Sequence, residues 1–172
     1  MIIALLGYMG SGKSTVGKAL ARYLDFQFVD LDDYIEQQGN QSISELFKNK
    51  GEIKFRAIER SAVETLCRSS NAMVLALGGG TPCYGDTMTF LVNHPNVFTI
   101  YLKTSIQSLH NRLSTEQSKR PLIAHLPKDQ LTEFIAKHVF ERSKFYNRAQ
   151  LIVNTEHKTI DGLISEISEE LN

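Results

Sequence analysis

Hydrophobic residues along the chain form short apolar runs that alternate with longer segments of helical spacing. Apolar positions at i, i+4 and i+7 indicate amphipathic helices, the first of them carried by Val16, Leu20 and Tyr23. The short apolar runs have the length of buried strands. Such strands are predicted at 2–6, 26–30, 73–77, 97–102 and 151–153. With a length of 172 residues, this alternation predicts one α/β domain with a parallel sheet and helices on both faces.

The other helices are predicted from capping residues and apolar stripes. Ser42 and Glu45 form a capping-box pattern that begins a short helix, and Gly51 is expected to end it. Further helices are predicted at 52–68, 84–92, 105–113, 128–149 and 159–171. The polar stretch 114–127 breaks the periodicity, and a loop of this length in a compact domain is more often a functional lid than an idle connection.

The segment 7–15 lies between the first strand and the first helix and matches the pattern G-x-x-x-x-G-K-[ST]. Its glycines let the backbone turn with positive φ and point N–H groups at an anion, and the helix N-terminus adds its dipole. Because strand, loop and helix occur in the required order, the segment predicts a phosphate-binding loop rather than a plain turn. Lys13 is expected to reach the β- and γ-phosphates of a nucleoside triphosphate, and the Ser14 hydroxyl to bind Mg²⁺. The predicted triphosphate-binding residues of the loop are Gly10, Ser11, Gly12, Lys13, Ser14 and Thr15.

Three aspartates follow the second predicted strand, and ligands of parallel α/β sheets gather beyond the carboxyl ends of strands. Asp30 and Asp32 are predicted to be site residues that reach Mg²⁺ or a substrate hydroxyl. Asp33 is predicted instead to cap the helix that begins at Tyr34.

Three consecutive glycines, Gly78, Gly79 and Gly80, follow the third predicted strand. Glycine loses more conformational entropy on folding than any other residue, so a bare turn explains the triplet poorly. A ligand that approaches the backbone closely would explain it, and the triplet is therefore predicted to line a site.

Two arginines lie on predicted helices in positions that require a partner. Arg56 and Glu59 share one helix face, and this spacing alone favours a solvated ion pair that contributes about 0.2–0.5 kcal/mol. Arg142 falls on or beside the apolar face of its helix, so its guanidinium needs an anionic partner. That partner is either an acidic side chain elsewhere in the chain or the substrate.

Composition and charge argue against several other classes of protein. Lysines plus arginines and aspartates plus glutamates both number 19, so the formal charge is zero and indicates neither a nucleic-acid nor a membrane surface. The chain enters its first strand at once and has two cysteines, which favours a cytoplasmic protein without a signal peptide or disulfide framework. The five histidines show no ligand spacing, so no zinc site is expected.

With these features assembled, the sequence resembles the shikimate kinase family over essentially its whole length. The phosphate loop alone is shared by many unrelated enzymes, whereas the ordered combination of D-x-D, F-R-x-x-E, G-G-G and R-P-L is far more specific. The segments that carry the resemblance are 7–15, 30–32, 55–59, 78–80, 120–122, and Arg142 followed by Tyr146.

The resemblance implies ATP- and Mg²⁺-dependent phosphorylation of the shikimate 3-hydroxyl, giving shikimate 3-phosphate and ADP on the route to chorismate and aromatic amino acids. It implies a P-loop NTPase of the nucleoside-monophosphate-kinase-like kind, a three-layer α/β/α fold with a five-stranded parallel sheet of order 2-3-1-4-5. A monomer is implied, with a substrate-binding subdomain at about 32–60 and a lid at about 112–126.

The resemblance also implies a role for each matched residue. Lys13, Asp32 and Arg120 are the implied catalytic residues, with Asp32 at the reacting hydroxyl and Arg120 moving from the lid onto the phosphates. Asp30 is implied to reach Mg²⁺ through water, and Arg112 to stack on the adenine. The implied shikimate-binding residues are Asp32, Arg56, Glu59, Gly78, Gly79, Gly80 and Arg142.

Within that set, Arg56 and Arg142 are implied to hold the shikimate carboxylate, while Glu59 orients Arg56. Two forks that grip one carboxylate would fix the register of the acceptor. The alternatives are another kinase of this core, such as a gluconate or nucleoside monophosphate kinase, and a nucleotide-dependent binding switch. The switch needs a guanine-specificity motif or a partner surface, and the sequence indicates neither.

Overall fold

The computed structural model describes residues 1–120 and 122–171, so Pro121 of the predicted R-P-L motif lies outside the described residues. Its central element is a parallel sheet. The strands are β1 (Ile2–Leu6), β2 (Gln27–Asp30), β3 (Met73–Ala76), β4 (Val97–Lys103) and β5 (Leu151–Asn154). They are arranged in the order β2-β3-β1-β4-β5, which confirms the predicted order of a five-stranded sheet.

Helices connect these strands and cover both faces of the sheet. They are α1 (Lys13–Leu24), α2 (Leu31–Gly39), α3 (Ile43–Cys67), α4 (Thr87–Asn93), α5 (Ile106–Glu116), α6 (Leu131–Tyr146) and α7 (Ile160–Leu171). None of the described helices combines the length and apolar character needed to cross a membrane.

The side chains of β1 show why the domain has three layers. Alternate residues of a strand point to opposite faces. Ile2 and Leu6 belong to the apolar cluster that holds α3, whereas Ile3 and Leu5 belong to the cluster that holds α1 and α7. Because every residue of β1 is buried, the strand must be covered on both sides, as a parallel sheet with helices on each face requires.

The junction between β2 and α2 differs from the prediction. Asp30 is both the last residue of β2 and the N-cap of α2, and its side chain accepts a 3.1 Å hydrogen bond from the Asp32 backbone N–H. The prediction that Asp33 caps the helix is therefore wrong. The helix begins directly after the strand, so Asp33 falls in its first turn, where its charge still favours the helix dipole.

The capping box predicted at Ser42 is confirmed, and the backbone turns sharply where Gly51 was expected to end the first helix. Gly51 has φ 74° and ψ 170°, a non-helical conformation that favours glycine, so α3 consists of two helical segments that meet at a kink, and the predicted break at Gly51 is confirmed.

Three further predictions about helices were wrong in detail. Helix α5 extends through Glu116, although 114–116 was expected to be loop, and the hydroxyls of Ser114 and Thr115 donate hydrogen bonds to backbone carbonyls of the preceding turn. A short 3-10 turn, Lys128–Gln130, precedes α6, which ends at Tyr146 instead of 149. Tyr23, expected on the buried stripe of α1, is 63% exposed.

Candidate active site

The loop between β1 and α1 has the backbone shape that a phosphate-binding loop requires. Gly10 and Gly12 adopt φ values of 78° and 95°, and Gly12 is the residue from which α1 begins. Residues other than glycine rarely take this left-handed conformation. The loop therefore directs the N-terminus of α1 and its unpaired N–H groups toward one point.

Lys13 folds back over this loop. Its Nζ donates hydrogen bonds to the backbone carbonyls of Gly7 (2.9 Å) and Tyr8 (3.0 Å). Burial lowers the Lys13 pKa to about 8, an effect partly offset by the carboxylates of Asp32 and Asp30. The ammonium group of Lys13 is thus held at the loop, where the negative charge of a phosphate would neutralise its positive charge.

Ser14 and Asp30 bring the start of α1 next to the end of β2. The Ser14 hydroxyl donates a 2.8 Å hydrogen bond to Oδ2 of Asp30. A hydroxyl and a carboxylate are the hard oxygen donors that Mg²⁺ prefers, and Mg²⁺ in kinases takes its other ligands from phosphates and water. Among the described residues no group of three or more His, Cys, Asp or Glu forms a metal cluster.

Asp32 and Glu59 approach each other at Gly78. A Cβ added to Gly78 would lie 3.2 Å from Oδ1 of Asp32 and 3.0 Å from Oε1 of Glu59, so only glycine leaves room for both carboxylates. Burial raises the Asp32 pKa to about 6, with the charges of Asp30 and Glu59 acting in the same direction and Lys13 opposing them. A carboxylate with this pKa is suited to accepting a proton near neutral pH.

Arg56 is held in a half-buried position by the residues around it. Its Nη1 donates a 2.6 Å hydrogen bond to Oε2 of Glu59, and Oε1 of Glu59 accepts a 2.5 Å bond from the Thr81 hydroxyl. Glu59 is only 2% exposed, so the interpretation of Arg56 and Glu59 as a solvated surface pair is wrong. The Nε atom of Arg56 is buried, and no group within the described ranges accepts its hydrogen.

The glycine triplet brings Arg56 and Arg142 to adjacent positions. A Cβ on Gly80 would lie 2.9 Å from Nη1 and Nη2 of Arg56, and a Cβ on Gly79 would lie 3.7 Å from Nη1 of Arg142. The same Cβ on Gly79 would lie 3.2 Å from the backbone nitrogen of Met9 in the phosphate loop. The two guanidinium groups therefore lie against successive glycines of the triplet, and Gly79 also lies against the phosphate loop.

Arg142 has aromatic neighbours rather than an acidic partner. Its Cζ lies 5.4 Å from the centre of the Tyr8 ring, and no carboxylate of the described residues lies within ion-pair distance of its guanidinium. Tyr146 lies one turn further along α6 and donates a 2.5 Å hydrogen bond to the carbonyl of Gly79. Of the two partners considered for Arg142, an acidic side chain and a substrate, this arrangement favours the substrate.

Arg112 and Arg120 lie at the mouth of the phosphate loop. Nη1 of Arg112 donates a 2.9 Å hydrogen bond to the carbonyl of Gly10. Arg120 is paired with Glu116 on the preceding turn, at 2.7 Å between Nη2 and Oε2. Both arginines thus face the space above the loop, where a triphosphate would attract them.

A cleft of about 530 Å³ joins the predicted nucleotide-binding residues. They all line it: Gly10, Ser11, Gly12, Lys13, Ser14, Thr15, Arg112 and Arg120, together with Asp30, Asp32, Gly78 and Gly79. Thr155, Lys158, Ile160 and Leu163 also line the cleft, although none of them was predicted as a site residue. Four predicted acceptor-site residues are not part of this lining but adjoin it at the glycine triplet: Arg56, Glu59, Gly80 and Arg142.

Sequence reasoning missed the aromatic residues that hold the two arginines. Tyr8 was treated as a variable position of the phosphate loop, and Tyr84 as the start of a helix. In the structure, the Tyr84 ring centre lies only 4.0 Å from Cζ of Arg56. Neither contact has a sequence signal, because each joins residues that are distant along the chain.

Comparison with known proteins agrees with this geometry. The family model for shikimate kinase matches residues 9–172. The shikimate kinase of Flavobacterium johnsoniae is 46% identical over 165 residues, which cover 96% of this chain and 95% of that protein.

Solved structures of shikimate kinases also match this chain. The crystal structure of shikimate kinase from Bacteroides thetaiotaomicron has a TM-score of 0.91 at 35% identity and covers 99% of this chain and 98% of that one. Shikimate kinase from Acinetobacter baumannii in complex with shikimate has a TM-score of 0.86 at 28% identity, covering 99% of this chain and 92% of that one. The sheet order and the phosphate loop are those of the P-loop, nucleoside-monophosphate-kinase-like fold. The chain belongs to the shikimate kinase family and is a small-molecule kinase.

Proposed function

We propose that this enzyme transfers the γ-phosphoryl group of ATP to the 3-hydroxyl of shikimate, giving shikimate 3-phosphate and ADP. The observation that carries the proposal is that the guanidinium groups of Arg142 and Arg56 lie against the successive glycines Gly79 and Gly80, the first of which also lies against the phosphate loop. Arg56 keeps a buried Nε without an acceptor in the described part of the chain. A buried donor of this kind is costly unless an anion binds it, and the shikimate carboxylate is such an anion.

Asp32 is the residue that we assign to the acceptor hydroxyl. Its carboxylate interacts with the charge of Lys13 in the phosphate loop, and it lies against Gly78, as does Glu59, the partner of Arg56. Phosphoryl transfer depends mainly on positioning and on charge neutralisation, so Asp32 would orient the hydroxyl and accept its proton late in the reaction. Its raised pKa is consistent with that task.

Lys13, Ser14 and Arg120 are assigned to the triphosphate. Lys13 would exchange its two carbonyl partners for β- and γ-phosphate oxygens, and Arg120 would exchange Glu116 for the transferring group. Mg²⁺, when bound, would neutralise charge on the β- and γ-phosphates. Ser14 would bind the ion directly and Asp30 through water, because the two side chains already lie 2.8 Å apart at the loop.

A substrate-binding part and a mobile lid are proposed around this centre. Residues at about 32–60 would form the part that binds the acceptor, since Asp32, Arg56 and Glu59 all belong to α2 and α3. Residues at about 112–126 would form a lid that carries Arg112 and Arg120 toward the nucleotide, with Arg112 stacking on the adenine. Lid closure would exclude water and so prevent hydrolysis of ATP.

We further propose a monomer in the cytoplasm. All of the residues assigned to the two substrates come from a single chain, so catalysis needs no second copy. Both cysteines are free thiols, and ATP is the co-substrate, which is consistent with a reduced compartment.

A coupled assay of ADP release tests this proposal. ADP should form from ATP at a rate that depends on added shikimate and saturates with it. Gluconate, AMP and CMP serve as matched alternative acceptors, and Lys13→Ala serves as the inactive control. If ADP release is unchanged by shikimate, or is stimulated more strongly by gluconate or a nucleotide, the assignment of the acceptor is wrong.

A further inference from the structure

Tyr84 is the residue of the candidate acceptor site that the reaction chemistry leaves unexplained. It follows a 3-10 turn, Thr81–Cys83, and the centre of its ring lies 4.0 Å from Cζ of Arg56. An arginine that stacks on an aromatic ring gains cation–π attraction without using any of its in-plane N–H groups. The ring therefore restrains Arg56 without occupying the N–H groups at the edges of its guanidinium.

The hydroxyl of Tyr84 has a second contact, with Glu52. It donates a 2.7 Å hydrogen bond to Oε1 of Glu52, and the same oxygen lies 3.5 Å from Nη2 of Arg56. Glu59 already accepts a hydrogen bond from Nη1 of Arg56. Glu52 is therefore a second carboxylate beside one guanidinium, and it competes with a substrate carboxylate for the remaining N–H groups.

We propose that Tyr84 is a positioning residue that keeps Arg56 available for the acceptor carboxylate, with its ring supporting the guanidinium and its hydroxyl restraining Glu52. The inference rests on the proposed function, because it takes Arg56 as a group that binds the acceptor. Glu52 directly follows the kink at Gly51, so the Tyr84 contact also ties α3 to the segment after the glycine triplet. Without that tie, Glu52 closes on Arg56 in the empty site and must be displaced each time the acceptor binds.

Steady-state kinetics on three variants separate the two parts of this role. Tyr84→Leu removes the ring and the hydroxyl, and the KM for shikimate should rise about tenfold. Tyr84→Phe keeps the ring but releases Glu52, and the KM should rise about threefold. Tyr84→Phe combined with Glu52→Gln removes the competing charge, and the KM should return to within about twofold of wild type. The KM for ATP should stay unchanged in all three.

Tyr23→Leu is the matched control, because Tyr23 is an exposed tyrosine on α1 that does not line the cleft. Tyr84 is itself 39% exposed, so its truncation leaves no core cavity, and melting temperatures should agree among the variants. A shikimate KM for Tyr84→Leu equal to that of Tyr23→Leu would overturn the inference. A double variant as impaired as Tyr84→Phe alone would overturn the role of the hydroxyl.

Arg56→Ala distinguishes failure of this inference from failure of the proposed function. If Arg56→Ala leaves the KM for shikimate unchanged, the proposed acceptor site is wrong and the inference falls with it. If Arg56→Ala raises that KM while Tyr84→Leu does not, only the role of Tyr84 is overturned.

Discussion

Gly78 lies against Asp32 so closely that a Cβ at Gly78 would be 3.2 Å from Oδ1 of the aspartate. The same Cβ would be 2.8 Å from the Thr81 hydroxyl, and real Cβ atoms essentially never approach a neighbour that closely. The glycine therefore sets the position of the carboxylate that we assign to the reacting hydroxyl.

Gly78→Ala should lower kcat by about tenfold to a hundredfold, because it displaces Asp32 from the acceptor hydroxyl. Gly39→Ala is the matched control. Among the described residues, a Cβ at Gly39 would meet only the side chain of Gln41, at 3.8 Å, so kcat should stay at the wild-type value. Measured by ADP release at saturating ATP and shikimate, equal rates for the two variants would contradict this account of Gly78.

The pH dependence of kcat/KM should be bell-shaped. The Asp32 pKa of about 6 makes the rate fall as the pH drops below that value, because the protonated acid cannot accept the hydroxyl proton. The Lys13 pKa of about 8 makes the rate fall as the pH rises above that value, because neutral Lys13 no longer offsets the charge of the phosphates. Initial rates between pH 5 and 9 with subsaturating shikimate check this, and a rate that stays constant down to pH 5 would argue against Asp32 as the base.

Asp32→Asn should stabilise the free protein while it reduces kcat by more than about a hundredfold. The folded-state pKa of Asp32 lies above its ordinary value of 3.8, so the folded protein favours the protonated form. Ionisation of Asp32 therefore costs stability above about pH 6, and this cost disappears below about pH 4.

The free energy of unfolding of Asp32→Asn should accordingly exceed that of the wild-type protein by about 1–3 kcal/mol at pH 8, and the difference should be close to zero at pH 4. Urea unfolding at both pH values measures it. A variant less stable than wild type at pH 8 would show that the ionised carboxylate is favourably paired and that its pKa is not raised.

Arg142→Ala should raise the KM for shikimate by about thirtyfold or more, since it removes a charged group from a desolvated carboxylate site. The KM for ATP should change by less than about twofold. Arg148→Ala is the matched control, because Arg148 follows the same helix and donates a 3.0 Å hydrogen bond to Thr89 outside the cleft. Identical shikimate kinetics in the two variants would remove Arg142 from the acceptor site.

The fold could be predicted closely because its signals are local. The apolar runs of β1, β3 and β4 and the phosphate loop each depend on a few consecutive residues, and alternation of strands and helices then determines the layers. The cap at Asp30 was missed because capping patterns assume an intervening loop, whereas this helix begins directly after its strand. The extra turn of α5 was missed because its residues are polar and exposed.

The residues of the candidate site were proposed from sequence signals, but most of the contacts among them have no such signal. Arg56 and Glu59 were correctly paired by their spacing, yet nothing local indicates that Glu59 is buried against Thr81. That burial arises from the packing of α3 onto the segment after β3. The stacking of Arg56 on Tyr84 likewise depends on two segments that meet only in the folded chain.

The most direct test of the central claim is the identity of the product. After incubation with ATP, Mg²⁺ and shikimate, phosphorus NMR coupled to proton detection reads which carbon bears the phosphate. We predict one new phosphomonoester signal, correlated with the proton on the carbon that bears the 3-hydroxyl. Phosphate found on a different hydroxyl, or only as inorganic phosphate, would contradict the account.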